Sequence, residues 1–489
     1  EFFRRFIYYT VKGNAMQTTT NLRLYRPAKK KNARDLLYYR YSSKLTTNQD
    51  LSRQLVSYQA DKKSPLYRWM KYKEAFSSEL VGFFLNRFGT FNGKTPQILD
   101  PFAGAGTTLT AAAQKGWKAT GIELLPVGSA AMKARMKAAK INLVAFEKQI
   151  KRLRHFPLNT YVSGYRFPHL RITEKAFPKA TEKAISAYMG FLNEIDDRDI
   201  RYLFWFACLS ILEDISYTRK DGQYLRWDYR ADRKLKSEFN KGDIAAFRPA
   251  IIEKLNRMYE DIKNRNGKAN FRDIHLIEGS CLKEIPLLED NSFDLIMTSP
   301  PYCNRYDYTR TYALELAFIG YNDEILKHLR QTLLSATVEN KSKREILLKD
   351  YFANGRAKTF TAALNTFNEQ AALHEVLGIL HRAKEDNELN NNNIPDMVAN
   401  YFFEMNLVIH ELARVLAPSG RIVMVNDNVR YHGEEIPVDL ILSDFAEKAG
   451  LSVEHIWVLP RGKGNSSQQM GVYGRNELRK GVYVWSKPR

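Results

Sequence analysis

The sequence contains little cysteine and no long apolar run. Cysteine occupies only three of 489 positions, Cys208, Cys281 and Cys303, and their spacing does not match that of a zinc site. This scarcity favours a reducing compartment, so we expect a cytoplasmic protein without a bound metal. No run of about 18 apolar residues occurs, and we therefore expect no membrane-spanning helix. Residues 1–15 lack the apolar region of a signal peptide.

Acidic residues are also scarce compared with basic ones. Lys and Arg number 75 against 54 Asp and Glu, which gives a formal net charge of +21. Such an excess favours a polyanionic partner through phosphate contacts and counterion release. Basicity alone would also suit ribosomal or membrane-surface binding. The hydrophobic fraction of 44% is sufficient for a folded core. The length suits either about three domains or one α/β core with insertions.

The most informative motif is Thr298-Ser299-Pro300-Pro301-Tyr302, which follows the apolar run 293–297. Because proline fixes its own φ and restricts the residue before it, we expect a rigid loop after a buried strand. In open α/β sheets ligands bind at this carboxyl edge. The loop offers a hydroxyl, backbone carbonyls and an aromatic ring, which suit the exocyclic amino group of an unstacked base. On its own, the motif could also be a structural turn or a polyproline ligand.

A glycine-rich turn, Asp100-Pro101-Phe102-Ala103-Gly104-Ala105-Gly106-Thr107, lies far upstream. It follows a predicted strand at 97–100 and precedes a predicted helix at 109–115, which Gly116 would end. A second predicted strand, 117–123, ends at Glu123, where a carboxylate can hold a ribose diol. A phosphate-binding loop would need a lysine after Gly106, and a dinucleotide fingerprint would need a small residue where Leu109 stands. A methyl-donor pocket fits better than either, with an ordinary glycine turn as the remaining alternative.

Together these segments resemble the amino-methylating DNA methyltransferases, which use S-adenosylmethionine to modify the exocyclic nitrogen of cytosine or adenine. The resemblance extends to the segments 72–81 and 412–425, and residues 461–470 and 474–480 resemble the restriction-modification enzymes in particular. It implies an α/β, Rossmann-like class I S-adenosylmethionine-dependent methyltransferase fold with helical insertions. Ser-Pro-Pro-Tyr is typical of the cytosine-N4 enzymes, whereas most adenine-N6 enzymes have Asp-Pro-Pro-Tyr. The chain has no Pro-Cys pair, so it lacks the nucleophile of ring-carbon methylation.

The resemblance also assigns site residues. For catalysis it implies that the hydroxyl of Ser299 and the carbonyl of Pro300 accept from the amino group and that Tyr302 stacks on the flipped base, with Pro301 completing the motif. The expected contacts of S-adenosylmethionine are Tyr72, Phe76, Asp100, Phe102, Ala103, Gly104, Gly106, Thr107, Glu123, Ser280 and Cys281. One departure concerns Ser280, because the family usually has an acid there that contacts the adenine of the donor.

The chain divides on this interpretation into catalytic segments and insertions. We expect a basic extension at 1–71, catalytic segments at 72–141, 271–319 and 401–489, and helical insertions at 142–270 and 320–400. The first insertion is a candidate DNA-contacting region, and the second is a candidate for target recognition. The segment 215–227 mixes hydroxyls, cations and rings around a turn glycine, which suits phosphate contacts or a solvated loop. The nominated DNA contacts are Arg219, Lys220, Arg226 and Asn304.

The expected partners are double-stranded DNA and a cognate restriction endonuclease. Two other classes remain open at this point. One is an RNA amino-methyltransferase, because related proline loops occur there. The other is a non-catalytic nucleic-acid-binding protein, against which the intact Asp100, Glu123, both glycines and the proline loop argue.

Overall fold

An eight-stranded, mostly parallel sheet forms the centre of the protein. The computed structural model describes residues 32–72, 75–89, 94–222, 224–234, 238–264, 271–460 and 478–489. The strands in chain order are β1 (Leu45–Thr47), β2 (Gln97–Asp100), β3 (Lys118–Glu123), β4 (Thr218–Asp221), β5 (Tyr224–Trp227), β6 (Ile274–Glu278), β7 (Phe293–Thr298), β8 (Leu416–Asp427), β9 (Val429–Tyr431), β10 (Glu434–Ile436), β11 (Ser452–Val458) and β12 (Lys480–Ser486).

The strand order in the central sheet is β1-β11-β12-β8-β7-β2-β3-β6. Strand β12 runs antiparallel to both of its neighbours, and the remaining pairs are parallel. The carboxyl ends of β2, β3, β6, β7 and β8 therefore share one edge, and β12 begins at that same edge. This mixed α/β architecture is consistent with a Rossmann-like methyltransferase fold.

Helices cover both faces of the sheet and form the two insertions. In chain order they are α1 (Ala33–Tyr41), α2 (Ser78–Phe88), α3 (Thr107–Gln114), α4 (Pro126–Ala138), α5 (Leu143–His155), α6 (Lys179–Asn193), α7 (Arg198–Ile211), α8 (Phe247–Lys263), α9 (Cys281–Glu284), α10 (Tyr308–Thr311), α11 (Ala313–Ile319), α12 (Asp323–Thr332), α13 (Arg344–Ala353), α14 (Ala357–Glu369), α15 (Ala371–Glu385), α16 (Ile394–Val415) and α17 (Val438–Lys448). Among the described residues no helix is long and apolar enough to cross a bilayer.

The sheet is buried on both faces, as its apolar strands predict. Along β8 the side chains of Val423 and Val425 join one apolar cluster, and those of Ile422 and Met424 join the other. This division follows from the alternation of side chains along a strand. Both helix layers are thus anchored to the strands whose ends form the site described below.

The predicted elements around the motifs are present. The strand 97–100 and the strand ending at Glu123 are β2 and β3, and the predicted helix 109–115 is α3. Gly116 has φ of +78° directly after that helix, in the left-handed region expected of a helix-ending glycine. The segment 215–227 differs from a plain loop because its middle forms the antiparallel hairpin β4–β5. The tail motif 461–470, residues 474–477 of the tail motif 474–480, and Lys73 and Glu74 within 72–81 lie outside the described residues.

Candidate active site

The glycine turn and the proline loop are joined by Asp100. Its carboxylate accepts hydrogen bonds from Thr298 Oγ1 at 2.7 Å, from Thr108 Oγ1 at 2.6 Å and from the Phe102 N–H at 3.1 Å. Burial raises the pKa of Asp100 to about 6, and the bonds from the two threonines oppose that shift. Asp100 is 2% exposed and its carboxylate is occupied by these three donors, so its role is to hold the two loops together. These hydrogen bonds give Asp100 a positioning role, and its direct contact with the cofactor stays a prediction.

The two glycines of the turn allow close packing that a side chain would prevent. Gly106 has φ of +77°, and a Cβ placed there would lie 2.2 Å from Met132 Cγ. Gly104 has φ of +52°, and its Cβ would lie 3.1 Å from the ring of Tyr72. The turn is further fixed by the buried Arg135, whose guanidinium donates to the Ala105 carbonyl. The glycines therefore let the turn adopt its left-handed conformation in contact with α4 on one side and Tyr72 on the other.

Glu123 lies at the end of β3 with both carboxylate oxygens on backbone donors. Oε2 accepts from the Gly104 N–H and Oε1 from the Leu125 N–H, each at 2.6 Å. Burial raises the pKa of Glu123 to about 8, although these backbone bonds oppose the shift. An added hydrogen-bond donor would favour the ionised carboxylate, so the site is suited to a ligand with hydroxyl groups.

A pocket of about 590 Å³, part of it open to solvent, lies above the glycine turn. We call it the glycine pocket. Of the predicted site residues it is lined by Tyr72, Phe102, Gly104, Glu123, Ser280, Cys281, Ser299 and Pro301. Its remaining lining comes from Pro101, Ile122, Leu124, Leu125, Gly279, Tyr308, Leu333 and Leu334. The pocket thus combines one carboxylate and backbone groups with apolar walls.

A second pocket, of about 690 Å³ including open solvent, lies on the other side of the proline loop. We call it the tyrosine pocket. The predicted site residues that line it are Phe76, Ser299, Pro300, Tyr302 and Asn304. It is completed by Val56, Ser57, Ala75, Tyr306, Tyr308, Asp427 and Lys480. Ser299 and Tyr308 line both pockets, so these two residues lie where the pockets meet.

Five of the predicted cofactor-binding residues do not line the glycine pocket: Phe76, Asp100, Ala103, Gly106 and Thr107. Phe76 lines the tyrosine pocket instead. Ala103 is buried beneath the turn, where its N–H donates to the Ile122 carbonyl at 3.0 Å. Thr107 is the buried first residue of α3. Ala103 and Thr107 therefore support the turn from behind, with Gly106, without forming the pocket wall.

The proline loop is held in place by hydrogen bonds of its own. Ser299 Oγ donates to the Tyr302 hydroxyl at 3.2 Å, and the Tyr431 hydroxyl donates to the Cys303 carbonyl at 2.7 Å. The Cys303 side chain is fully buried, and burial raises the pKa of its thiol. Asp307 caps α10 by accepting from the Thr309 N–H at 2.9 Å, and so stabilises the end of the loop.

The hairpin β4–β5 places the nominated DNA contacts on two different faces, one exposed and one buried. Arg219 and Arg226 are exposed and lie opposite each other in its register. Lys220 points the other way because side chains alternate along a strand. Its ammonium pairs with Glu315, with 3% and 2% of the two side chains exposed, and lies 4.6 Å from the Tyr312 ring centroid. Lys220 is therefore buried, whereas the other two cations of the hairpin are exposed, and of the three only the arginines are presented to a DNA partner in this structure.

Sequence reasoning missed several lining residues. Asp427 ends β8 at the same edge at which Glu123 ends β3, so the rule that identified Glu123 would have found it. Leu333 and Leu334 come from the second insertion, and the sequence gives no signal that they return to the glycine pocket. Lys480 begins β12 and is the last residue of the tail motif 474–480, but that motif gives no indication that its lysine lines a pocket.

The arrangement of sheet, glycine turn and strand-end carboxylate is that of a Rossmann-like methyltransferase. No family model matches the chain. The chain is 46% identical over 460 residues to "Type II methyltransferase M.AvaI" from Nostoc sp. and from Anabaena variabilis, covering 92% of each chain. It is 41% identical over 457 residues to "Type II methyltransferase M.BsoBI" from Geobacillus stearothermophilus, covering 89% of this chain and 88% of that one. The chain belongs to the Type II methyltransferases, the DNA methyltransferases of restriction-modification systems.

Proposed function

We propose that this DNA methyltransferase transfers a methyl group from S-adenosylmethionine to the exocyclic N4 of a flipped cytosine in duplex DNA. The observation that carries the proposal is the position of Ser299 at the junction of the glycine and tyrosine pockets. A donor in the first pocket and a base in the second would meet at this hydroxyl. The sheet order, with its single antiparallel strand β12, supports a class I methyltransferase fold.

The glycine pocket suits S-adenosylmethionine by the chemistry of its lining. Glu123 is placed to accept from the ribose hydroxyls, and the left-handed turn at Gly104 lets the backbone approach the ligand. Leu124, Leu333 and Leu334 offer an apolar enclosure for the adenine ring. Ser280 lines this pocket with a hydroxyl in place of the family's usual acid, so its side chain or backbone would meet the adenine amino group.

The tyrosine pocket suits an unstacked base. Tyr302 provides a ring for stacking, worth roughly 1–3 kcal/mol per base in single-strand binders. Its lining also contains Tyr306, Tyr308 and Phe76, so the pocket is rich in aromatic side chains. Asn304 lies in the same lining and is retained as a nucleic-acid contact. Aromatic walls with a few polar groups are what enzymes that extrude a base provide.

The chemical step depends mainly on positioning. The lone pair of the base's amino nitrogen is delocalised into the ring, which makes it a poor nucleophile. The Ser299 hydroxyl and the Pro300 carbonyl would accept from the amino group and bias the nitrogen toward tetrahedral geometry. The sulfonium of S-adenosylmethionine makes its methyl group electrophilic. Holding nitrogen and methyl in line supplies most of the acceleration, and Ser299 orients the nitrogen.

The basic surface supports duplex DNA as the substrate. The net charge of +21 favours binding through phosphates. Arg219 and Arg226 project from the first insertion on an exposed hairpin, and Arg226 also lies 4.2 Å from the ring centroid of Phe239. We propose that this hairpin contacts the DNA backbone and that the second insertion, 320–400, contributes to target recognition. A cognate restriction endonuclease recognising the same sequence would complete the system.

The decisive experiment identifies the modified base. Plasmid DNA is incubated with the protein and S-adenosylmethionine, digested to nucleosides and analysed by mass spectrometry. We expect N4-methylcytosine, with Ser299→Ala strongly reduced in product. N6-methyladenine without N4-methylcytosine would overturn the cytosine assignment and leave the adenine-N6 alternative. Methylation of RNA with none of DNA would overturn the substrate.

A further inference from the structure

The tyrosine pocket contains an ion pair that the transfer step does not explain. Lys480 begins β12 and Asp427 ends β8, and the two are direct partners in the register of the antiparallel strands. Lys480 Nζ lies 3.4 Å from Asp427 Oδ1. Both residues line the pocket together with Ser299, Pro300 and Tyr302. The ion pair thus lies at the carboxyl edge of the sheet, beside the proline loop.

The lysine is in contact with the loop as well as with the aspartate. Its Nζ is 5.6 Å from the centroid of the Tyr302 ring, whose hydroxyl accepts from Ser299 Oγ at 3.2 Å. Burial opposes the charge of Lys480, but Tyr302 and Asp427 outweigh it and raise its pKa. Only 22% of the Lys480 side chain and 18% of the Asp427 side chain are exposed. A charged ammonium is therefore maintained in the pocket that Ser299 and Pro300, the residues proposed to hold the amino nitrogen, also line.

A contribution to folding stability is a poor explanation for the Lys480–Asp427 ion pair. Apolar residues of similar volume at partly buried positions are often as good or better for folding, because charges lose hydration. An ammonium carries three donors. Asp427 and the Tyr302 hydroxyl can occupy two of them, which leaves one for a ligand in the pocket. The chemistry required of that ligand is a hydrogen-bond acceptor close to the group that Ser299 holds.

A base to be methylated on its amino group has such an acceptor. In cytosine the ring nitrogen N3 adjoins the amino group, and the carbonyl O2 follows it along the same edge. In adenine the adjoining acceptor is N1, and the next position is an unreactive C–H. Enzymes that extrude a base identify it by hydrogen bonds to this edge. A fixed donor beside the amino-binding groups therefore matches cytosine at two acceptors and adenine at one.

We propose that Lys480, held by Asp427, is a specificity-determining residue that donates a hydrogen bond to the ring-nitrogen and carbonyl acceptors of the target base. This inference rests on the proposed function. Lys480 binds the base directly, and Asp427 is a positioning residue that keeps the ammonium directed into the pocket. The ion pair and the proline loop together would recognise the amino group and the acceptors next to it on the same edge of the base.

The test combines variants with altered bases. Lys480→Met removes the donors at similar length, and Lys480→Arg retains them. Lys118→Met is the control, because Lys118 is exposed and begins β3, at the end of the strand opposite to the site. Each protein is assayed on a duplex with cytosine at the target and on duplexes whose target base lacks N3 or O2. We expect Lys480→Met to lower kcat/KM for cytosine about 10- to 100-fold, as for loss of a charge-assisted hydrogen bond. Lys480→Arg should recover part of this loss, and Lys118→Met should match the parent.

The altered bases separate a binding role from a purely structural one. The parent should be less active on at least one of the duplexes whose target base lacks N3 or O2 than on the cytosine duplex. On that same duplex, the activity of Lys480→Met should be only slightly below that of the parent. Asp427→Asn should raise KM for DNA while S-adenosylmethionine binding, measured by calorimetry, stays at the parent value. Equal activity of the parent on all three duplexes would overturn the proposal, even if a Lys480 variant failed to fold.

Failure of this inference differs from failure of the proposed function. If the parent makes no N4-methylcytosine, the function is wrong. If the product is N6-methyladenine, the same test is repeated with a target adenine lacking N1. If the parent methylates cytosine and Lys480→Met retains its kcat/KM and its response to the altered bases, only the role of Lys480 is wrong.

Discussion

Asp100 and Thr298 form a 2.7 Å hydrogen bond between the carboxyl ends of β2 and β7, although 198 positions separate them in the chain. Thr298 Oγ1 is the donor, and Asp100 also accepts from Thr108 and from the turn's own backbone. The bond connects the turn under the glycine pocket to the loop that carries Ser299. The relative position of the proposed donor and acceptor sites therefore depends on this contact.

The first prediction concerns Thr298→Val, which removes the hydroxyl at nearly constant volume. We expect the free energy of unfolding to fall by roughly 1–3 kcal/mol, because a buried carboxylate loses one of its donors. Since burial places the pKa of Asp100 at about 6, above its unfolded value, the protonated form stabilises the fold, and this stabilisation is lost as pH rises through that value. Without the Thr298 hydroxyl the pKa of Asp100 rises further. The decrease in the free energy of unfolding should therefore be larger above about pH 6 than below it.

Urea unfolding at several pH values measures this effect. Thr160→Val, at an exposed position, provides the control. A loss in Thr298→Val that is the same at every pH would mean that the bond does not act through the Asp100 carboxylate. We also expect lower turnover in this variant, because the two loops are no longer held in register.

The motifs allowed the catalytic edge to be predicted because strand–turn–helix order constrains where the chain can run. Asp100 and Thr298 could each be placed at the end of a parallel strand, and such ends share an edge. Their mutual hydrogen bond could not be predicted, because a carboxylate at a strand end is equally able to contact a ligand. The burial of Lys220 could not be predicted either, because a hairpin and an irregular loop have similar compositions. Only in the hairpin does the alternation of side chains direct Lys220 to the buried face. Leu333 reaches the glycine pocket through tertiary packing of an insertion, which local sequence does not encode.

The second prediction concerns Glu123. Glu123→Ala should weaken S-adenosylmethionine binding by roughly 1–3 kcal/mol, because the ribose loses a charge-assisted hydrogen bond. In the parent, burial raises the pKa of the carboxyl to about 8. Hydroxyl donors from the ligand favour the ionised form and lower that pKa, so binding should release a proton. Affinity should therefore fall as pH decreases below about 8.

Calorimetry in buffers of different ionisation enthalpy measures both the affinity and the released proton. Glu278→Ala is a matched control, because Glu278 is the register partner of Glu123 on β6 and its side chain is 50% exposed. That variant should bind and release protons as the parent does. Unchanged affinity in a folded Glu123→Ala protein would contradict the assignment of this carboxylate to the ribose.

The third prediction concerns Ser299→Ala. Turnover should fall much more than donor affinity, because the hydroxyl is directed to the base while the backbone of the loop remains. Single-turnover assays give the rate of transfer, and calorimetry gives the affinity for S-adenosylmethionine. Ser292→Ala, directly before β7 and at the end of that strand opposite to the proline loop, should leave both values near those of the parent. Equal losses in rate and in donor affinity would place Ser299 with the cofactor and not with the base.

The fourth prediction concerns the ring of Tyr302. Tyr302→Ala should weaken retention of the flipped base by roughly 1–3 kcal/mol through lost stacking. Tyr302→Phe and Tyr302→Trp keep an aromatic face and should retain much of the activity. Fluorescence of 2-aminopurine at the target position reports flipping directly. Methylation at the parent rate by Tyr302→Ala would show that the ring does not hold the base.

The fifth prediction separates the cations of the hairpin by their burial. Arg219→Ala and Arg226→Ala should each reduce the magnitude of the salt slope of DNA affinity by about 0.9 in log–log units if each arginine contacts one phosphate. The free energy of unfolding should change little, because both side chains are exposed and the Arg226–Asp221 pair, at 3.0 Å, lies at the surface.

Lys220→Met should have the opposite pattern of effects, on stability and not on DNA binding. It leaves Glu315 as a buried, unpaired carboxylate and should lower the free energy of unfolding by roughly 3–5 kcal/mol without altering the salt slope. Fluorescence anisotropy over a range of salt concentrations, with urea unfolding of the same proteins, measures both quantities. If Lys220→Met flattened the slope while the arginine variants kept the parent value, DNA would contact the opposite face of the hairpin, and the burial of Lys220 against Glu315 would have to open on binding.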